Sequence, residues 1–575
     1  MSRTSIPLVA VDRASTDERM QNPGPQGTSD QVTPDEYGRA IHNFARLSDG
    51  DGRAFQPLAE YLSGSTCASA TVPTEAFVTL YTFDQNASRT ERGSLDGSSQ
   101  PLHASRSLPD HEVTAFTSPE NFYSHPVSDQ ASQIVFLGGF PSPLWLKSIG
   151  AKYKLDPEFF RRHLDFLDPH QVSSAFSEPS LPSETWHLLQ LPVYTLGLKH
   201  IAGRRERPDD HATRRSKAQH ALIAHHRQLR IPSGTDDRLG KSIVRNYHVL
   251  DDSHFAIEQR ISICLQESRS SYVLFVWLDS TLKWDSPMEE PWCPRRPLGS
   301  QAAVELLPIV RYRHNLALKS HRIKAKSRDP VPFGAPQSAA LIHHDYVRAS
   351  SPNVVRQDAS YAITELLRLS AASQSQFLNL LNSDVVLERP SSISTDEVPS
   401  VIYRSQILSS MSQQTHEVRQ CMRNIGESHW TKAPEGSSHK KATQSWGALE
   451  ADHECLRERT RMVSDRYKEA VVILMNTMAI AESREGIVQA KKVSRLTSLA
   501  FIFVPLSFTT SFFGMNVQQL SQQKTSIWIW FVVSIILSGI AMAFLFSERC
   551  VGAMKEVRAR LRPGKAKSPG EEAPD

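Results

Sequence analysis

Cysteine is scarce in this chain, and the little there is has no pattern. Its 575 residues hold six, Cys67, Cys264, Cys293, Cys421, Cys455 and Cys550, with no Cys-x-x-Cys pair, which excludes ordinary zinc-ribbon spacing and a disulfide framework. They read as reduced, cytosolic thiols. Net charge is only +4 at pH 7, so the balance does not suggest a nucleic-acid partner. The first 30 residues lack an apolar core and carry Arg3, Asp12, Arg13, Asp17, Glu18 and Arg19, which argues against a secretory signal and a mitochondrial transit peptide. No Ser/His/Asp or Cys/His arrangement has a recognisable local signature, so an enzyme is not expected. No cofactor is expected either.

Long apolar runs are missing until residue 496, and then two come together. Leu496 to Phe513 carries no charge, and Ile527 to Phe546 follows after a short loop opening with Gly514-Met515-Asn516. About 18 to 20 residues at 1.5 Å of rise each cross a hydrocarbon core of about 30 Å. A buried hairpin of a soluble protein is the other reading, but uncharged runs of this length without periodicity are unusual in water. Lys491, Lys492 and Arg495 precede the first run; Arg549, Lys555, Arg558, Arg560, Arg562, Lys565 and Lys567 follow the second. The loop between has one basic residue, Lys524. The positive-inside rule then puts both termini on the cytoplasmic side, or the matrix side in a mitochondrion, and the loop outside.

Arg495-Leu496-Thr497, Phe503-Val504-Pro505-Leu506-Ser507-Phe508 and Phe512-Phe513-Gly514-Met515-Asn516-Val517 resemble the CorA-type magnesium transporters, with every piece in that family's order. Upstream, Phe136 to Pro143, Ile149 to Tyr153 and Asp156 to Leu164 resemble the soluble domain of fungal CorA-like proteins. The resemblance implies a homo-oligomer, a pentamer in the family, around one pore in a lipid bilayer. It implies Mg2+ or another divalent cation as the transported ion, with Mg2+ also a possible regulator.

The remaining chain is read as follows. Residues 1–35 are expected to be a disordered tail, and 36–355 a cytosolic α/β domain with mobile insertions at about 86–130 and 200–240. Ser132 to Phe140 is an apolar strand. Pro157 to Leu167 is a short helix capped by Asp156, Phe255 to Ile263 alternates as a half-exposed strand does, and Tyr272 to Leu278 suits a sheet centre. Residues 356–492 turn helical: Tyr361, Leu366, Leu367, Leu369, Phe377, Leu380 and Leu381 recur at helical spacing, a helix covers about 399–424, and a proline-free pattern runs from about Ala448 to Lys492. The last is on the order of 65 Å long. Such a segment is either a structural coiled coil or, because it enters the first span directly, a stalk continuous with the pore helix.

The fold expected is therefore an α/β N-terminal cytosolic domain, a long helical stalk and a two-helix transmembrane hairpin. The pore domain is 493–546, with spans 496–513 and 527–546 about a loop 514–526, and 547–575 is a basic cytosolic tail. Mg2+ prefers octahedral oxygen ligands and gives up water reluctantly, so neutral dipoles suit a filter that passes it hydrated. A ring of Asn516 amides at the outer mouth would accept from its waters, Gly514 would permit the turn and Met515 would pack it. Val493, Thr497, Ala500, Val504, Ser507 and Ser511 follow helical spacing and would line the conduit, or serve only as small residues for helix packing in lipid. Inside-negative potential of about 100 mV favours a divalent cation by roughly 4.6 kcal/mol, so a passive channel suffices.

The loop Val517 to Ser526 departs from the family in having no acid, which leaves open a membrane-anchored scaffold without conduction. The plasma membrane is expected; vacuolar or inner mitochondrial placement would satisfy the same topology.

Three soluble motifs are rejected. Gly234 to Ser242 has five residues between its glycines where a phosphate-binding loop has four. His343-His344-Asp345 reads as a surface segment, since adjacent histidines point apart. His200 to Lys217 is basic but interrupted by Asp209 and Asp210, and reads as a solvated insertion.

Overall fold

Among the described residues, eight strands lie between Val78 and Leu306: β1 (Val78–Phe83), β2 (Glu112–Phe116), β3 (Ser132–Gly138), β4 (Leu188–Ile201), β5 (Asn246–Val249), β6 (His254–Glu267), β7 (Tyr272–Leu278) and β8 (Ala302–Leu306). They form one sheet in the order β2-β1-β3-β7-β6-β4-β8, with β5 also on β6. The central pair, β3 and β7, runs parallel with Gln133 opposite Val273, and the other pairs are antiparallel. This computed structural model describes residues 32–47, 51–64, 76–84, 111–128, 130–168, 181–201, 208–230, 238–267, 271–282, 292, 302–311, 337–383, 398–427, 430–514 and 527–560. They fall into two units, Met1–Glu469 and Ala470–Asp575.

In the first unit the sheet is covered on both faces, which is why β7, and β3 from Ile134 to Leu137, are apolar without interruption. Val135, Leu137, Phe275 and Trp277 meet one helical layer, built from α1 (Pro34–Leu47), α2 (Pro143–Tyr153) and α3 (Pro157–His163). Ile134, Phe136, Leu274 and Val276 point the other way. They pack among residues 359–449, including Leu366 and Leu367 of a helix Thr364–Ser383 and Met422 of a helix Val398–Glu427. Prolines at the first turns of α2 and α3 and the caps Ser142 and Asp156, which accept from Trp145 N and Glu158 N, set where both helices begin. Asp156 is the cap read from the sequence.

Several expectations are corrected. The half-exposed strand over Phe255 to Ile263 is instead the middle of β6 and almost wholly buried. Its polar residues are internal because each is bonded: Glu258 accepts from Asn246 and Gln414, Gln259 donates to Ile243 O, and Ser262 meets His163. The insertion expected at 86–130 is ordered at its C-terminal end, where β2 pairs with β1 and Phe116 and Phe122 are buried. The insertion expected at 200–240 contains a further helix, α4 (Pro208–Arg230), so the basic stretch is not merely solvated: Arg215 stacks 4.0 Å over the Tyr403 ring. His343 is half-buried while His344 beside it is exposed; it sits on a helix Ile342–Ala349 with its ring 6.4 Å from Phe136, and burial lowers its pKa to about 4. The tail 1–31 and the span 85–110 lie outside the described residues.

The glycine turn that resembled a phosphate loop serves packing. Gly240 N donates to Phe140 O and Phe140 N to Lys241 O, both at 2.8 Å, so these amides are engaged with protein. Gly139, at φ +67°, lets the two loops touch, because a Cβ there would stand 2.5 Å from Lys241 O.

One helix, α5 (Ser437–Gly514), belongs in sequence to both units and begins earlier than the Ala448 expected. In the second unit it is followed by α6 (Ile527–Arg560), which continues past the expected end at 546.

Candidate pore helix

Serine and threonine in the last turns of α5 bond inward to their own helix. Thr497 Oγ1 donates to Val493 O at 2.9 Å, Ser507 Oγ to Phe503 O at 2.6 Å and Thr510 Oγ1 to Leu506 O at 2.7 Å. These bonds remove hydroxyl donors from an apolar setting and allow such residues within a span. Pro505 sits inside the helix, where it deletes one backbone bond.

From Val493 to Gly514 only Ser498, Ile502, Pro505, Leu506, Thr509 and Phe513 are not exposed. The α6 residues withdrawn in the same way between 528 and 543 are Trp530, Val533, Ser534, Ser538 and Ala541. The two stripes meet at a hydrogen bond of 2.8 Å from Ser534 Oγ to Thr509 Oγ1, both residues buried. Small residues allow this approach, as they do between helices in lipid.

Val493, Thr497, Ala500, Val504, Ser507 and Ser511 are all exposed. At about 100° per residue they cover roughly 80° of arc, centred about 170° from the stripe that packs on α6. The packing contact inside the chain thus uses the opposite face, and the six side chains share a face that no part of this chain covers among the described residues. Gly514 is the last residue of α5; Met515, Asn516 and the rest of the loop to Ser526 lie outside the described residues.

Among the described residues α5 is long and apolar enough to cross a membrane, and only 6% of its apolar window is buried; Trp528–Ala543 of α6 is a shorter apolar stretch. Leu496 and Val504 are each 66% exposed and Trp528 73%. Leaving such a surface in water costs about 25 cal/mol for every Å2, so it calls for lipid or other protein chains around it.

Residues 405–549 match the family described as CorA-like Mg2+ transporter protein. They form a CorA-like domain. The matched region begins in the helix Val398–Glu427, takes in all of α5 and ends in α6, so the sheet lies upstream of it. No curated protein matches the chain. CorA-type proteins are membrane channels or transporters for divalent cations, not enzymes.

Sequence reasoning missed one polar cluster altogether. His163 Nδ1 lies 2.8 Å from Ser262 Oγ and its Nε2 lies 3.0 Å from Asp279 Oδ1, with the ring stacked 3.9 Å from Trp277. Arg245 donates to both Asp279 oxygens, at 2.7 and 2.8 Å, and to Asp165 at 2.6 Å. Burial on its own would raise the Asp279 carboxyl, but Arg245 and His163 outweigh it and hold it well below the usual range. The same burial pushes His163 down to about 4 despite Asp279. Although this is a Ser-His-Asp arrangement, all three residues are at most 2% exposed, and Ser262 opens onto no substrate space. The cluster joins α3 to β6 and β7. No group of three or more His, Cys, Asp or Glu is placed to hold a metal among the described residues.

Proposed function

We propose that this chain forms a channel for hydrated divalent cations, Mg2+ foremost, in which α5 lines the conduit and the Gly514-Met515-Asn516 loop forms the filter. The observation that supports it most is the uncharged stripe of α5 turned away from α6 within a CorA-like domain. Copies of the chain arranged about an axis would bring these stripes together, with Thr497, Ser507 and Ser511 alternating with apolar Val493, Ala500 and Val504. Such a wall passes an ion only when wetted, and it acts as a gate when dry. In this reading α5 and α6 are the two spans of a hairpin, a pentamer surrounds one pore, both termini are cytoplasmic and the membrane is the plasma membrane. Asn516 amides at the outer mouth accept from the ion's waters.

A second reading, a membrane-anchored scaffold that retains the fold without conducting, is favoured by one observation. The loop 517–526 has no carboxylate to draw cations and one repelling Lys524. Magnesium uptake into liposomes under an imposed inside-negative potential separates the two. Under the channel reading the native protein carries Mg2+, and Asn516→Ala abolishes selective uptake while inserting and assembling normally. Absence of flux from an inserted, oligomeric native protein would sink the channel reading and support the scaffold.

A further inference from the structure

Away from the spans, the first unit has a cavity of about 260 Å3 between α4 and the sheet. Lys199 of β4 enters it from one side, and Arg214 and Lys217 of α4 from another; Tyr247 of β5 and Phe255 of β6 supply an apolar wall.

Two carboxylates also reach the cavity, and both are already engaged. Asp251 Oδ1 accepts the backbone N–H of Ser253 and of His254, each at 2.7 Å, and its Oδ2 lies 2.9 Å from His254 Nδ1. Asp252 Oδ1 lies 3.2 Å from His211 Nε2 and 3.5 Å from Arg214 Nη1. The ammonium groups of Lys199 and Lys217 have no hydrogen-bond or ion-pair partner among the described residues. Lys199 is half-buried, and loss of water, with Arg214 second, lowers its pKa from the usual lysine range. A cation drawn out of water beside other cations is relieved by an anion that enters with it.

We propose that this cavity binds a soluble phosphomonoester, its phosphate oxygens held by Lys199 and Lys217 with Arg214 beside them and its small organic group against Tyr247 and Phe255. Phosphate suits the site because its several acceptor oxygens can take separate ammonium and guanidinium donors at once. The volume lies near the lower end of small-ligand cavities, about 300 Å3, which admits a compact ester and leaves no room for an acyl chain. The site is independent of the conduit, so the proposal goes beyond the channel reading, and its readout is binding, not flux.

Isothermal titration of the full-length protein in detergent, with phenyl phosphate and with inorganic phosphate as probes, tests it. One saturable site per chain is expected, with phenyl phosphate the tighter ligand because it also covers the apolar wall. Lys199→Met keeps the stem and removes the charge, and should weaken phenyl phosphate about tenfold, the loss of one charge-assisted bond. Lys217→Gln lies at an exposed position that cannot compromise folding, and should weaken it several-fold even if the first variant does not assemble. No saturable heat from phenyl phosphate, or unchanged affinity in Lys217→Gln together with any folded Lys199→Met, would overturn the proposal.

Discussion

His163, and His226 of α4 with its Nε2 2.7 Å from Val244 O, are buried without charge, and the sign of their contribution to stability follows from that. Burial lowers each to about 4, against an unfolded value of 6.5. Below pH 6.5 the unfolded chain takes up protons that the folded chain refuses until about pH 4, so their stabilisation is complete above 6.5 and is lost as pH falls through that window. Each can contribute a slope of up to about 1.4 kcal/mol per pH unit. Denaturant midpoints followed by tryptophan fluorescence should therefore drop steadily from pH 6.5 to 4, with Trp277, stacked on His163, a local reporter. In His163→Gln the slope should shrink by about one proton; a slope unchanged by the substitution would disprove the assignment. Nothing in the sequence announced this cluster. Ser262 and His163 are 99 residues apart, and Arg245 reaches Asp165 across 80, so no local spacing records them. The Asp156 cap was legible because its partner, Glu158 N, lies two residues away.

Among the helices and strands, legibility followed burial symmetry. β3 and β7 could be read because a strand covered on both faces carries a continuous apolar run, Ile134 to Leu137 in β3 and all of β7, whereas β6 looked half-exposed because its polar residues are bonded inside. The helix α4 was hidden by its charge, and β2 by the polar stretch before it. For α5 the sequence gives helical spacing for two different stripes and does not say which faces what. The Ser534 to Thr509 bond assigns one stripe to α6, and small residues at 497, 500, 507 and 511 are then not needed for that contact. Cysteine substitution turns this difference into a measurement. With a water-soluble thiol reagent and a background lacking native cysteines, Ser507→Cys and Val504→Cys should lose most magnesium flux on modification. Thr509→Cys, on the buried face, should keep it. Equal block at all three positions, or at Thr509 alone, would place the conduit elsewhere.

The described residues of the second unit leave a broad apolar surface exposed, and one stripe of it suits helix packing better than lipid. The stripe from Val493 to Ser511 is half small and polar, and Thr497 and Ser507 have their hydroxyl donors returned to the helix. A face of that kind gains little from acyl chains, but it allows close approach of identical helices around an axis. Closed cyclic symmetry satisfies every copy of the stripe at once, whereas a monomer satisfies none. Mass measurement of the detergent-solubilised protein should therefore give one closed assembly of 64.4 kDa chains, five of them under the channel reading, unchanged in Asn516→Ala. Replacing Ala500 by Trp, which would put a large ring where the axis requires a small side chain, should shift the distribution to smaller species without removing the chain from the membrane. A native protein that stays monomeric across detergents and in lipid nanodiscs would leave the stripe without its partners, and with them the conduit that the channel reading requires.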